Sequence, residues 1–144
     1  MVYIIRNKGD IMIFFEKKCP DKIHSLVFEE DDKVAYAYLL KDGKIITDVW
    51  LFNVIESPRE PEWKLDNRSK YMPFANPKSL IDASNFIRPD REEQIYVGWF
   101  IHDEKLQKAF IFIDNVLHAT IAPNEKPGHC RLVIKDGPLA RILS

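Results

Sequence analysis

At 144 residues, with 46% hydrophobic and 30% charged side chains, the chain has the size of one domain with one core and lies far from the composition of a disordered segment. Lys plus Arg number 21 against 22 Asp plus Glu, so no overall positive field speaks for nucleic acid, which is an unlikely partner. The longest apolar stretches, such as Ile95 to Ile101, fall far short of the roughly 20 residues a membrane helix needs; together with the lack of a leader-like opening, this predicts a cytoplasmic single domain over residues 1–144 with no membrane partner.

Val2 to Arg6 reads as a strand. Asp10 to Lys18 is either a capped helix or the return arm of a hairpin over Asn7-Lys8-Gly9, because periodicity does not separate the two in an unbroken apolar run. Cys19 belongs to no CxxC pair, and neither does Cys130, so both are expected to be reduced thiols. The acidic run Glu29-Glu30-Asp31-Asp32 lacks the alternating ligands and interior glycine of a calcium loop and reads as a solvated turn before a strand.

The clearest local signal spans Lys33 to Val54. A β-branched and aromatic run, VAYAYLL, meets IITDVWLF across Asp42-Gly43, and a two-residue Asp-Gly loop is favoured where both central residues need positive φ. That loop pairs Leu40 with Ile45, Tyr38 with Thr47, Ala37 with Asp48, Tyr36 with Val49 and Ala35 with Trp50. Both faces are then largely apolar, so the hairpin is expected to be central and covered on both sides. The same register sets Asp48 between Ile46 and Trp50 on a face with almost no other polar group, and a carboxylate there must be paired, hydrogen-bonded or neutral.

Glu56 to Pro77 is a proline-rich stretch of mixed charge with aromatics at Trp63, Tyr71 and Phe74, and long irregular segments within domains are often functional. Asn76-Pro77 has the form of an N-cap followed by proline at the first helical position, predicting a short helix from Pro77 to Ser84. Gln94 to His102 is a strand, followed by a polar turn at Asp103 to Leu106; KAFIFI and VLHATIA then form a hairpin across Asp114-Asn115, making a three-stranded meander. Arg131 to Lys135 offers a further strand, and Pro138 to Leu143 after Gly137 a second short helix. The fold class is therefore α+β and β-dominated, with antiparallel hairpins and a meander forming a sandwich or an open barrel with a few short helices.

No nucleophile motif, phosphate-cradling glycine loop or zinc spacing occurs. His118 and His129-Cys130, with Cys19 or His102, are residue types that zinc accepts, but no second close pair nucleates a site. No metal and no cofactor are expected. The leading functional expectation is a non-catalytic protein-interaction module with a protein partner, such as a small inhibitor or immunity protein of a toxin or enzyme. Trp63, Tyr71 and Phe74 would serve as aromatic anchors and Glu29, Glu30, Asp31 and Asp32 as steering charge. The alternative is a small-ligand-binding or hydrolytic β domain whose pocket holds Asp48, Trp50 and His118, the last two hairpins packing so that Asp48 and His118 meet as acid and base. A third reading, a single-strand binder using the aromatics and cations of Arg59 to Tyr71, is weakened by the acids in the same loop.

Overall fold

A computed structural model describes residues 2–7, 10–64 and 73–144. The described residues are β-dominated and form two five-stranded sheets with no closed barrel among them. The first sheet follows chain order: β1 (Val2–Asn7), β2 (Asp10–Lys18), β3 (His24–Glu30), β4 (Val34–Lys41) and β5 (Lys44–Asn53), each antiparallel to the next. In the second sheet β6 (Ile95–His102), β7 (Lys105–Ile113) and β8 (Val116–Ile121) form an antiparallel meander. The short β9 (His129–Cys130) joins β8 antiparallel and β10 (Arg141–Ile142) parallel. The ambiguous segment Asp10–Lys18 is thus the return arm of a hairpin; Lys8 and Gly9 lie outside the described residues.

Turn chemistry explains the hairpins. Asp42 and Gly43, Asp103 and Glu104, and Asp114 and Asn115 all take positive φ, the geometry whose twist matches the flanking strands. Asp21 and Asp31 shape the turns around β3 by accepting backbone N–H groups two and three residues ahead.

Several expectations are corrected. Pro77–Ser84 contains a single 3-10 turn, Lys78–Leu80, because Ile81 is extended and bridges Val133 in place of a second helical turn. Pro138–Leu143 holds β10 and no helix. Of Arg131–Lys135, only Val133 makes a bridge, the strand before it being His129–Cys130. The β4–β5 register starts as expected with Leu40 opposite Ile45, but a bulge then places Thr47 opposite Leu39 and Asp48 opposite Tyr38. A second bulge sets Phe52, and not Trp50, opposite Ala35. Each bulge inserts one residue into β5 and inverts the pairing downstream.

The hairpin is covered on both faces, with Val49, Trp50, Leu51 and Phe52 all buried, yet it lies at the end of its sheet order. Its outer edge is closed by the C-terminal segment: Gly128 N donates to Asp48 O at 2.9 Å, Trp50 N to Leu139 O at 3.0 Å and Arg141 N to Gly128 O at 2.9 Å. One apolar cluster joins Phe15, Leu26, Phe28 and Leu39 of the first sheet to Val97, Ala109, Ile111 and Ile121 of the second. Among the described residues no helix is long and apolar enough to cross a membrane.

Candidate functional site

Two aromatics of the long loop, Trp63 and Phe74, face inward more than outward. Trp63 is half-buried and meets Phe74 edge to face at 6.3 Å between ring centroids, both packing against the core. Buried Glu62 anchors this loop by accepting from Ala75 N at 2.7 Å and pairing with Lys33 at 2.8 Å. Tyr36 adds a hydroxyl bond to Phe74 O at 2.7 Å. Tyr71 lies outside the described residues.

The acidic run separates into different roles. Glu30 shares the inward face of β3 with Leu26 and Phe28, and burial pushes its carboxyl up to about 7, with Arg88 opposing and Asp31 reinforcing the shift. Glu29 is half-buried and also raised, by burial and then by Asp31. Asp31 is occupied by the Lys33 and Val34 amides, leaving Asp32 as the exposed member.

Asp48, Trp50 and His118 do not converge. Asp48 shares the outer face of β5 with Trp50, across from Tyr38 and Tyr36. Burial raises its carboxyl and the Lys126 ammonium draws it down. Trp50 is fully buried, its indole N–H donating to Asn53 Oδ1 at 2.8 Å.

His118 lies on the other side of β5. It sits at a bulge in β8, between Phe52 and Phe86, and its Nε2 is 2.7 Å from Leu51 O. A carbonyl only accepts, so Nε2 carries the proton and Nδ1 keeps a lone pair. Burial holds this imidazole down to about 4, so it is neutral. The neighbouring Cys130 sulfur, 3.6 Å from Nε2, is pushed by burial up to about 12 and stays a thiol. A His–Cys contact with both groups buried and uncharged is a packing arrangement, since nucleophilic attack needs an accessible thiolate.

The surface that stands out is the outer face of the second sheet at β6. Tyr96 is 65% and Phe100 53% exposed. They flank Gly98 and lie opposite Phe112 and Lys108 of β7, with Phe110 opposite Gly98. Tyr96 and Phe112 have centroids 5.9 Å apart, and their rings border Gly98, where a Cβ would rest in ordinary contact with them at 3.9 and 3.8 Å. β6 ends its sheet, so one row of its backbone groups faces no strand among the described residues.

Open edges are normally blunted by Lys, Glu or Pro, by bulges, or by a covering segment. From Ile95 to Ile101 this strand has no charged residue and no proline, and the one irregularity in its pairing inserts Gln107 into the partner strand β7. No family model matches this chain, and neither does any curated protein or solved structure. The functional argument therefore rests on the residues alone.

Sequence reasoning identified the β6 strand but not its exposure. The available signal was YVGWFIH, in which small Gly98 sits between two aromatics at alternate positions, the pattern of one strand face.

Proposed function

We propose that the chain is a non-catalytic protein-interaction module, a two-sheet sandwich that binds a protein partner along β6. The observation that carries this reading is the uncharged open edge of β6 with Tyr96 and Phe100 beside it. An extended partner segment adds main-chain hydrogen bonds to such an edge, while alternate side chains dock on the aromatic face. Tyr and Phe are large, stiff side chains of the kind that anchor interfaces. A small stoichiometric inhibitor or immunity protein of a toxin or enzyme is one form this module takes. The two buried free thiols fit a reducing, cytoplasmic setting.

The test is affinity capture from the native source with the wild-type chain and with the Tyr96→Lys/Phe100→Lys variant, alongside analytical ultracentrifugation of both. Both positions are exposed, so the variant should still fold, with a loss of about 1 to 2 kcal/mol from the Tyr96–Phe112 pair and from a lysine opposite Lys108. The expected result is a stoichiometric partner, or self-association, that the wild type shows and the variant loses. Equal behaviour of the two proteins in both assays refutes the β6 surface.

A further inference from the structure

The open edge of β6 is symmetric in its own sequence. Ile95-Tyr96-Val97-Gly98-Trp99-Phe100-Ile101 reads alike in both directions from Gly98: Val and Trp flank it, then Tyr and Phe, then two Ile. A strand laid antiparallel beside its own copy reverses direction, so such a segment meets itself in matched pairs. Side chains alternate between faces, with Tyr96, Gly98 and Phe100 on the outer face and Ile95, Val97, Trp99 and Ile101 on the face turned to the core.

The backbone is set for the same pairing. Asp114 N donates to Gln94 O at 2.8 Å, just before the start of the β6–β7 ladder. Antiparallel ladders alternate, so Tyr96 and Gly98 turn their N–H and C=O groups to β7, whereas Val97 and Trp99 turn theirs to the edge that faces no strand among the described residues. A two-fold axis at Gly98 sets Val97 opposite Trp99 of the second copy, and each such pair exchanges two hydrogen bonds. The Ile95 N–H is taken by Glu92 O, which leaves the Ile95 carbonyl to accept from Ile101 of the second copy.

The side chains match in this register. Tyr96 stands across from Phe100 of the second copy, a cross-strand aromatic pair formed twice. Gly98 faces Gly98, so nothing obstructs approach at the axis. On the inner face, half-buried Trp99 and Ile101 are covered by Val97 and Ile95 of the second copy. A shift by two residues is the smallest that keeps the faces aligned. It sets Ile101 against Glu93 or Ile95 against Asp103, and leaves Tyr96 or Phe100 opposite Gly98. No charge lies within the matched segment, so the self-pair meets no like-charge opposition there; Glu93 and Asp103 belong to the adjoining turns and close the ladder at its ends.

We infer that the partner of this edge is a second copy of the chain, paired antiparallel about Gly98 so that the second sheets of both copies join into one. This rests on the proposed use of β6 and names its occupant. The contact is isologous, so it closes after two copies and caps the edge. It is short beside a standard interface of roughly 1,600 Å², which places its dissociation constant on the order of 10 to 100 μM.

Sedimentation velocity across that range should show a monomer–dimer equilibrium. Amide exchange at Val97 and Trp99 should slow as concentration rises, while Gly98, bonded to β7, stays unchanged. Gly98→Lys and Gly98→Glu then test the axis. A Cβ at Gly98 rests no closer than 3.8 Å to any neighbour, so both variants should fold, which urea unfolding checks. Each alone places like charges face to face and should weaken the dimer by about fivefold or more. An equimolar mixture should recover it as a heterodimer, read by native mass spectrometry. Either variant dimerising as tightly as wild type, or a mixture no tighter than its components, overturns the axis at Gly98, and so does a wild-type dimer whose Val97 and Trp99 amides exchange as in the monomer. A wild-type chain that stays monomeric while a foreign protein is captured through Tyr96 and Phe100 overturns self-pairing and leaves the protein-binding reading of β6 standing. A monomer that captures nothing removes both.

Discussion

The side chain of Asn53 pairs with the backbone of Asn76 as a neighbouring strand would: Nδ2 donates to Asn76 O and Asn76 N donates to Asn53 Oδ1, both at 2.8 Å. The same Oδ1 accepts the Trp50 indole N–H. A single amide at the end of β5 thus ties the long loop to the sheet and satisfies the largest fully buried side chain.

Asn53→Ala should therefore destabilise the domain by roughly 3 kcal/mol, because it strands a buried indole N–H and two backbone groups at once. Asn53→Asp should be no rescue, since it keeps the acceptor but turns the Nδ2 donor into a carboxylate oxygen facing the Asn76 carbonyl. Urea unfolding of the two variants gives the answer, and wild-type midpoints for either would show that water replaces these bonds without cost.

Gly128 lies where the C-terminal segment crosses the β5 edge. A Cβ added there would run into the Thr120 carbonyl oxygen and stand 3.0 Å from Val49 Cβ, whereas at Gly137 it meets only the mobile tip of Leu80, at 2.7 Å. Gly128→Ala should cost about 3 kcal/mol or more and Gly137→Ala under about 1 kcal/mol, since backbone does not yield as a side-chain end does. Thermal unfolding of the pair compares them directly; similar losses would mean the C-terminal segment shifts freely.

Glu30 and His118 act on stability with opposite signs. Glu30 is raised to about 7 by burial, so the stability it confers is complete below its ordinary 4.5 and is lost as pH rises through 7. His118 is lowered to about 4, also by burial, so its contribution is complete above 6.5 and is lost as pH falls through 4. Between about pH 4.5 and 6.5 each group supplies a slope of up to about 1.4 kcal/mol per pH unit, and the two oppose each other. Glu30→Gln should leave a profile that falls on acidification across that window, and should raise stability near pH 8 by on the order of 2 kcal/mol. Denaturant midpoints measured from about pH 5 to 8 for both proteins test this; a variant profile parallel to wild type would place the Glu30 carboxylate in contact with solvent.

Burial pushes the Cys19 thiol up to about 11 and the Cys130 thiol up to about 12. Both should resist a disulfide exchange reagent near pH 8 until the domain opens, so that modification follows global unfolding. Rapid reaction of either thiol in native buffer would place it at the surface.

What the sequence by itself determined was local. Asp42-Gly43 and Asp114-Asn115 marked their turns because few residues tolerate positive φ at both centres, and the β-branched, aromatic runs beside them became strands. It was less informative where packing decides. β3 escaped notice because its inward stripe begins and ends with His24 and Glu30, polar residues that blur the alternation of Leu26 and Phe28. The bulges in β5 carry no signature in their own residues; they lie on either side of Asp48 and Trp50, whose backbone meets Gly128 and Leu139, and with the β8 bulge at His118 they put Asp48 and His118 on different sides of the sheet. The prolines after Asn76 and Gly137 promised helices, but the extended backbone that follows is held by contacts to residues far along the chain, Ile81 with Val133 and Arg141 with Gly128. The symmetry of Ile95 to Ile101 about Gly98 is in the sequence, yet only the sheet order leaves that strand at an edge. Turns and strands are set by neighbours a few residues away, whereas faces and edges are set by what folding brings against them.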